Sequence, residues 1–193
     1  HVLSRRQRQM CIRDRFMILF SAVLSIHSIT LAQNNEIQPY EVIKEIDSVE
    51  IRFYPSATLV QTSGGSNFGK LFRYISGSNQ AEEKIAMTAP VYMNEDKSEM
   101  AFVMPLDVHQ KGAPEPTSEN VRLRITEPRY VAAIRYSGYT SASKEVKHTK
   151  RLRKILKNNS IEPKGEIEFL GYDSPYKFYN RRNEVMVEIN YKK

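Results

Sequence analysis

Tryptophan is absent from the 193-residue chain, and cysteine occurs once, at Cys11. Without a second cysteine no disulfide can staple the fold, so a buried core and a sheet must stabilise it alone. The cysteine–histidine cluster of a structural zinc site is missing as well. Histidine is sparse, and beyond residue 32 it occurs only at His109 and His148. There is no Gly-x-Ser-x-Gly, no histidine–aspartate partnership for a nucleophile and no carboxylate pair that stands out from surface charge, which argues against catalysis. A large charge excess is lacking too. Of 29 Lys and Arg, five precede residue 33, as does one of 22 Asp and Glu, so the net charge of +7 falls to +3 for residues 33–193. That modest balance suits a small anionic ligand and is no polynucleotide footprint.

Long apolar runs are also scarce, the one example being "FMILFSAVLSIHSITL" at 16–31. Closed by Thr30-Leu31-Ala32, it reads as a secretory signal peptide over 17–32, with an uncleaved anchor as the alternative. The preceding segment, 1–16, carries five arginines and no hydrophobic period. It reads as translated read-through ahead of Met17, or else as a basic arm. Residues 33–39 are then a linker and 40–193 one domain, exported to a periplasm or beyond, with no stable membrane insertion after cleavage.

Strand patterns dominate that domain. "YEVIKEI" turns at Asp47-Ser48 into "VEIRFY", where Val49, Ile51 and Phe53 are expected inward and Glu50, Arg52 and Tyr54 outward. "ATLVQT" follows, then a short helix "FGKLFRYI" capped by Asn67, with Phe68, Leu71, Phe72 and Ile75 at helical spacing. "KIAMTAPVYM" (84–93) alternates as a strand in which Pro90 marks an edge, a bulge or a bend. It turns at 94–97 into "EMAFVMP". Residues 106–120 hold Gly112, Pro114 and Pro116 and read as a surface loop with a solvated His109. "VRLRIT" and "RYVAAIRYS" lead to a helix capped by Ser141 or Ser143, with Val146, Leu152, Ile155 and Leu156 buried and His148 on its flank. "EIEFLGY" and "EVMVEINY" finish the sheet around "DSPYKFYNRRN". "ATLVQTSG" and "VAAIRYSG" both feed a helix, an echo that suggests two related halves.

Four of these stretches, "YEVIKEIDSVEIRFY", "LFRYISGSN", "MTAPVYM" and "YDSPYKFYNRRNEVMV", occur in an order that resembles the SOUL family of haem-binding proteins, from about Tyr40 to Asn190. The resemblance implies an α+β fold: a distorted, mainly antiparallel β-barrel of 8–9 strands with two flanking helices and an internal pseudo-twofold. It also implies reversible, non-catalytic binding of haem or another tetrapyrrole, for transfer, storage or buffering. The site would be an apolar patch on the first helix together with the loop before the last strand. Phe68, Phe72 and Arg73 match ligand-facing places of the helix motif, and Lys177 matches a propionate-contacting one.

The residues themselves suit such a ligand. Haem needs a flat apolar surface, cations for two carboxylates and, optionally, an axial side chain. The helix offers Phe68, Leu71 and Phe72 beside Lys70 and Arg73. An apolar stripe on a short helix equally suits the core, the favoured place for Leu71. The final loop interleaves Tyr176, Phe178 and Tyr179 with Lys177, an arrangement for stacking and carboxylate pairing. Arg181 and Arg182 fit better as partners of loop carbonyls and Glu184. Neither histidine matches an axial position, so iron ligation stays open among Tyr, Met and water. Three rivals remain: a basic helix face at Lys147–Lys157 for anionic partners, a module meeting a haem donor or acceptor protein, and a small-molecule domain of the GyrI-like type. Some members of the last hydrolyse substrates with tryptophan and glutamate, and this chain has no tryptophan.

Overall fold

A computed structural model describes residues 35–191; segments 1–16 and 17–32 lie outside the described residues. The elements are β1 (Glu36–Ile37), β2 (Glu41–Ile46), β3 (Val49–Tyr54), β4 (Ala57–Ser63), α1 (Asn67–Ile75), β5 (Thr88–Ala89), β6 (Val91–Asn94), β7 (Glu99–Val103), α2 (Leu106–Lys111), β8 (Val121–Thr126), β9 (Arg129–Ser137), α3 (Ala142–Asn158), β10 (Pro163–Gly171) and β11 (Arg182–Ile189). Nine strands pair antiparallel in the order β2-β3-β9-β11-β10-β6-β7-β4-β8, and β1 pairs parallel with β5. The sheet curls into a half-barrel whose edges are β2 and β8. Its two halves repeat one device: β4 runs into α1, and β9 runs into α3. Gly138, at a φ of 79°, makes the second of these turns in a conformation that side chains with a Cβ disfavour.

Curling creates three apolar clusters instead of one. The first lies under α3 and gathers Ile51, Ile134, Leu152, Leu156, Val185 and Val187. The second fills the concave side with Tyr54, Leu59, Tyr92, Val131 and Met186. The third lies under α1 and holds Val60, Leu71, Tyr74, Ile75 and Phe102. Central strands are therefore buried on both faces. This corrects the expectation that Arg52 and Tyr54 face solvent: both are buried, and Phe53 is the more exposed neighbour. Simple alternation fails because the outward side of β3 is the concave interior.

Other boundaries also shift. The stretch 84–93 is no continuous strand: only Thr88–Ala89 and Val91–Asn94 pair, on either side of Pro90, whose peptide bond is cis. Asn67 opens α1 instead of capping it and donates its side-chain amide to the Ser98 carbonyl at 2.9 Å. Ser141 caps α3, its hydroxyl accepting from the Lys144 N–H. Val146 is exposed, because Glu145, Thr149, Leu152 and Leu156 form the face turned to the sheet and Val146 lies about 100° around the helix from Glu145. Glu145 can occupy that face because it accepts from the Thr140 hydroxyl and pairs with Lys97. Within the expected loop 106–120, residues 106–111 form α2, where the Leu106 N–H bonds the Glu36 carboxylate at 3.0 Å.

Candidate functional site

Helix α1 divides its residues sharply. Leu71, Tyr74 and Ile75 anchor it in the third cluster, so Leu71 supports the outer face from beneath and does not line it. The anchor is reinforced at its end, where the Tyr74 hydroxyl donates to the Pro114 carbonyl at 2.7 Å. Phe68 and Phe72, one turn apart, remain 46% and 51% exposed. Their rings lie 6.0 Å apart with planes within 12° of parallel, as a stacked pair, and Phe68 also meets buried Phe102 edge-on at 5.3 Å. Leaving two phenylalanine rings half in water forgoes burial worth roughly 1 kcal/mol or more each.

Gly69 shares that outer face, and a Cβ built there would meet nothing within 4 Å. Glycine inside a helix costs about 1 kcal/mol relative to alanine. Here it leaves bare backbone between the aromatic rings, on which a flat molecule can lie. The sequence reading passed over Gly69, although a glycine in mid-helix between two exposed phenylalanines was the available signal.

Cations flank the rings. Lys70 is committed locally, donating to the Ser63 and Gly64 carbonyls at 3.0 and 2.5 Å. Arg73 is exposed and has no ion pair among the described residues. It borders a cleft of about 220 Å³ that also presents Ser78, Thr117 and Ser118. A guanidinium beside hydroxyls is suited to a carboxylate.

The second expected half of the site is the loop between β10 and β11. Strand register sets its base: Gly171 pairs with Val91, and Val91 with Phe102, against which Phe68 packs. The loop thus springs from the sheet about 10 Å, two strand spacings, from the row beneath α1. Tyr176, Phe178 and Tyr179 are highly exposed. No hydrogen bond, ion pair or ring contact joins the loop to α1 among the described residues, so the structure shows two neighbouring groups and not one closed pocket. Lys177 is engaged, its Nζ lying 2.5 Å from Asp173 Oδ1. Burial pushes the Asp173 carboxyl up, but the bonds from Lys177 and the Arg182 N–H outweigh this and hold it below the usual carboxylate range.

Arg181 and Arg182 hold the loop, as the sequence suggested. Arg181 Nη1 donates to the Ser174 and Lys177 carbonyls at 2.6 and 2.7 Å, and its guanidinium covers the Tyr139 ring. Arg182 bonds the Glu184 carboxylate and the Tyr40 hydroxyl and stacks on Tyr172. Beneath them Glu184, fully buried, takes two bonds from Arg52 at 2.6 and 3.0 Å and one from Tyr172 at 2.9 Å. Burial opposes its charge, yet the two arginines keep its pKa below the ordinary glutamate value. This network joins β3, β11 and the loop base.

Neither of the described histidines, His109 and His148, lies on the aromatic face. His109 sits on α2, where Nδ1 is 2.9 Å from the Thr58 hydroxyl, a correction to its expected place in a solvated loop. His148 is half-buried and stacks on Tyr136 at 4.7 Å; burial, then Lys147 and Arg151, lower its pKa.

A curled antiparallel half-barrel with a helix on each half, an outward aromatic face and a basic–aromatic loop defines the class as an α+β half-barrel domain. Its family is specific: the model of the SOUL heme-binding protein family matches residues 35–188, and the chain belongs to that family. Heme-binding protein 1 of mouse is 32% identical over 126 residues, 60% of this chain and 66% of that protein. The chain therefore spans just under two thirds of that relative. Heme-binding protein 2 of human is 31% identical over 157 residues, 72% of this chain and 76% of that protein. Among solved structures, a hydrolase from Listeria innocua superposes with a TM-score of 0.54 at 10% identity, covering 77% of this chain and 94% of that one. The C-terminal domain of EcmrR does so at 0.51 and 10%, over 78% and 98%. At these identities the likeness is one of fold alone.

Proposed function

We propose that this protein binds haem or a closely related tetrapyrrole reversibly, on the surface formed by α1 and the Asp173–Arg181 loop. The observation that carries the reading is the parallel, half-exposed ring pair Phe68 and Phe72 beside the bare backbone of Gly69. A porphyrin face fits that surface, Arg73 suits one propionate, and Lys177 suits the other once released from Asp173. The two relatives bear the name heme-binding protein, which supports the same ligand class. With no histidine at the face among the described residues, the ligand would be held by ring contacts and carboxylate pairing, not by a histidine–iron bond.

In this reading the protein carries or buffers its ligand without chemical turnover, taking it from a donor protein or passing it to an acceptor. It does so outside the cytoplasm, with 17–32 as the export signal; a chain beginning near Gln33, found by mass spectrometry, checks that part. Hemin titration followed through the Soret band tests the binding. The expected result is one-to-one saturation in the wild type and loss in a Phe72→Asp, Lys177→Ala double variant. Equal titration of both proteins would refute the site, and a featureless wild-type titration would refute the ligand.

A further inference from the structure

A second cavity, of about 330 Å³, opens where the 36–39 segment, the Pro55–Ala57 turn and α2 meet. It shares no lining residue with α1 or the Asp173–Arg181 loop. Its volume is at the lower end of small-molecule pockets, too small to enclose a porphyrin. Val103, Met104, Leu106 and Pro55 supply an apolar lining. Two polar side chains converge there. Gln38 is only 5% exposed, and its carbonyl oxygen accepts from the Tyr92 hydroxyl at 2.6 Å, which fixes the amide's orientation. Gln38 lines the cavity, and its amide nitrogen makes no hydrogen bond to another described residue. His109 is fixed in the same way: Nδ1 is bonded to Thr58, and Nε2 has no partner among the described residues. A few polar groups at fixed places on the wall of an apolar pocket are what orient a small ligand in it.

We propose that this cavity is a second ligand site, for a small uncharged molecule with an apolar body and one carbonyl acceptor. The carbonyl accepts from Gln38 Nε2, the apolar body fills the space between Val103, Met104 and Leu106, and His109 Nε2 makes a second polar contact. Charge selects against an anion, since Glu36 lies at the rim and the pocket holds no Lys or Arg. The site differs from the haem surface in place, size and charge.

The test is a matched series followed by proton–nitrogen NMR on the full chain: 4-phenylbutan-2-one, butylbenzene and 4-phenylbutyrate. The ketone is expected to shift the Gln38 side-chain amide and the His109 ring saturably. One net hydrogen bond corresponds to a preference of about two- to tenfold over butylbenzene, and the anion is expected to bind more weakly still. Gln38→Met should abolish the preference for the ketone while its backbone spectrum stays folded, and Ala57→Phe should block all three probes. Equal binding of ketone and hydrocarbon, or saturable shifts confined to other residues, would overturn the proposal, as would no shift at either residue. Hemin titration of Gln38→Met should match the wild type, so a failure here is separable from failure of the haem reading.

Discussion

Replacing Arg52 by methionine probes the buried network that joins the sheet to the loop base. Arg52 is 1% exposed and gives Glu184 two of the four side-chain hydrogen bonds that its carboxylate receives. It also bonds Glu50 and covers the Tyr40 ring at 4.3 Å. Removing one partner of a buried ion pair typically costs about 3–5 kcal/mol, because the remaining charge is left without compensation. Arg182 and Tyr172 still reach Glu184, so the lower end, about 3 kcal/mol, is expected. A domain stable by about 5–15 kcal/mol survives that loss and can be measured. Urea unfolding followed by far-ultraviolet circular dichroism reads it as a fall in midpoint at constant slope.

The pH dependence is a second readout of the same variant. In the wild type the Glu184 pKa lies below its ordinary 4.5, so its stabilisation is complete above that value and is lost as pH falls through the folded pKa. In the variant burial acts against one arginine fewer, and the Glu184 pKa rises. The gap between the two proteins should therefore narrow as the pH is lowered. Adding Glu184→Leu should cost less than the sum of the two single changes, since paired apolar replacement of a buried ion pair is often neutral. A loss below about 1 kcal/mol for Arg52→Met, or a gap that widens in acid, would refute the reasoning.

Further outcomes separate support from contact on α1. Leu71→Ala should cost about 2–5 kcal/mol in urea unfolding, as a truncation in a sealed cluster does, whereas Phe72→Ala should cost under about 1 kcal/mol yet weaken hemin binding severalfold. Gly69→Ala should stabilise the protein by about 0.5–1 kcal/mol and still lower hemin affinity, because the added methyl lifts the ligand off the backbone; unchanged affinity would remove Gly69 from the site. Asp173→Asn keeps an acceptor for the Arg182 N–H but frees Lys177, so hemin should bind several times more tightly, with the gain suppressed by salt.

The fold was largely legible because strand periodicity, turn residues and helix spacing agree along most of the chain. Failures cluster where tertiary structure decides. Arg52 and Tyr54 looked exposed because alternation assumes one wet face, and a half-barrel wets neither face of its central strands. Helix α2 was hidden between Pro105 and Gly112, and its first N–H is satisfied by Glu36, 70 residues away in sequence. At the proposed site, Phe68 and Phe72 could be read from their spacing, and Arg181 and Arg182 from their neighbours. The Asp173–Lys177 pair escaped notice because a four-residue spacing suggests an ion pair in a helix, and this segment is a loop. The cavity lined by Gln38, Ala57 and His109 is assembled from three separate segments and leaves no local signature.

The central claim is that a porphyrin lies on α1 and the adjoining loop. Paramagnetic broadening of amide NMR signals by ferric haem, with gallium protoporphyrin as the diamagnetic reference, locates the ligand directly. Broadening centred on 68–73 and 174–180, absent in Phe72→Asp, is the expected result. Broadening centred on His109, on α3 or nowhere in the protein would contradict the account.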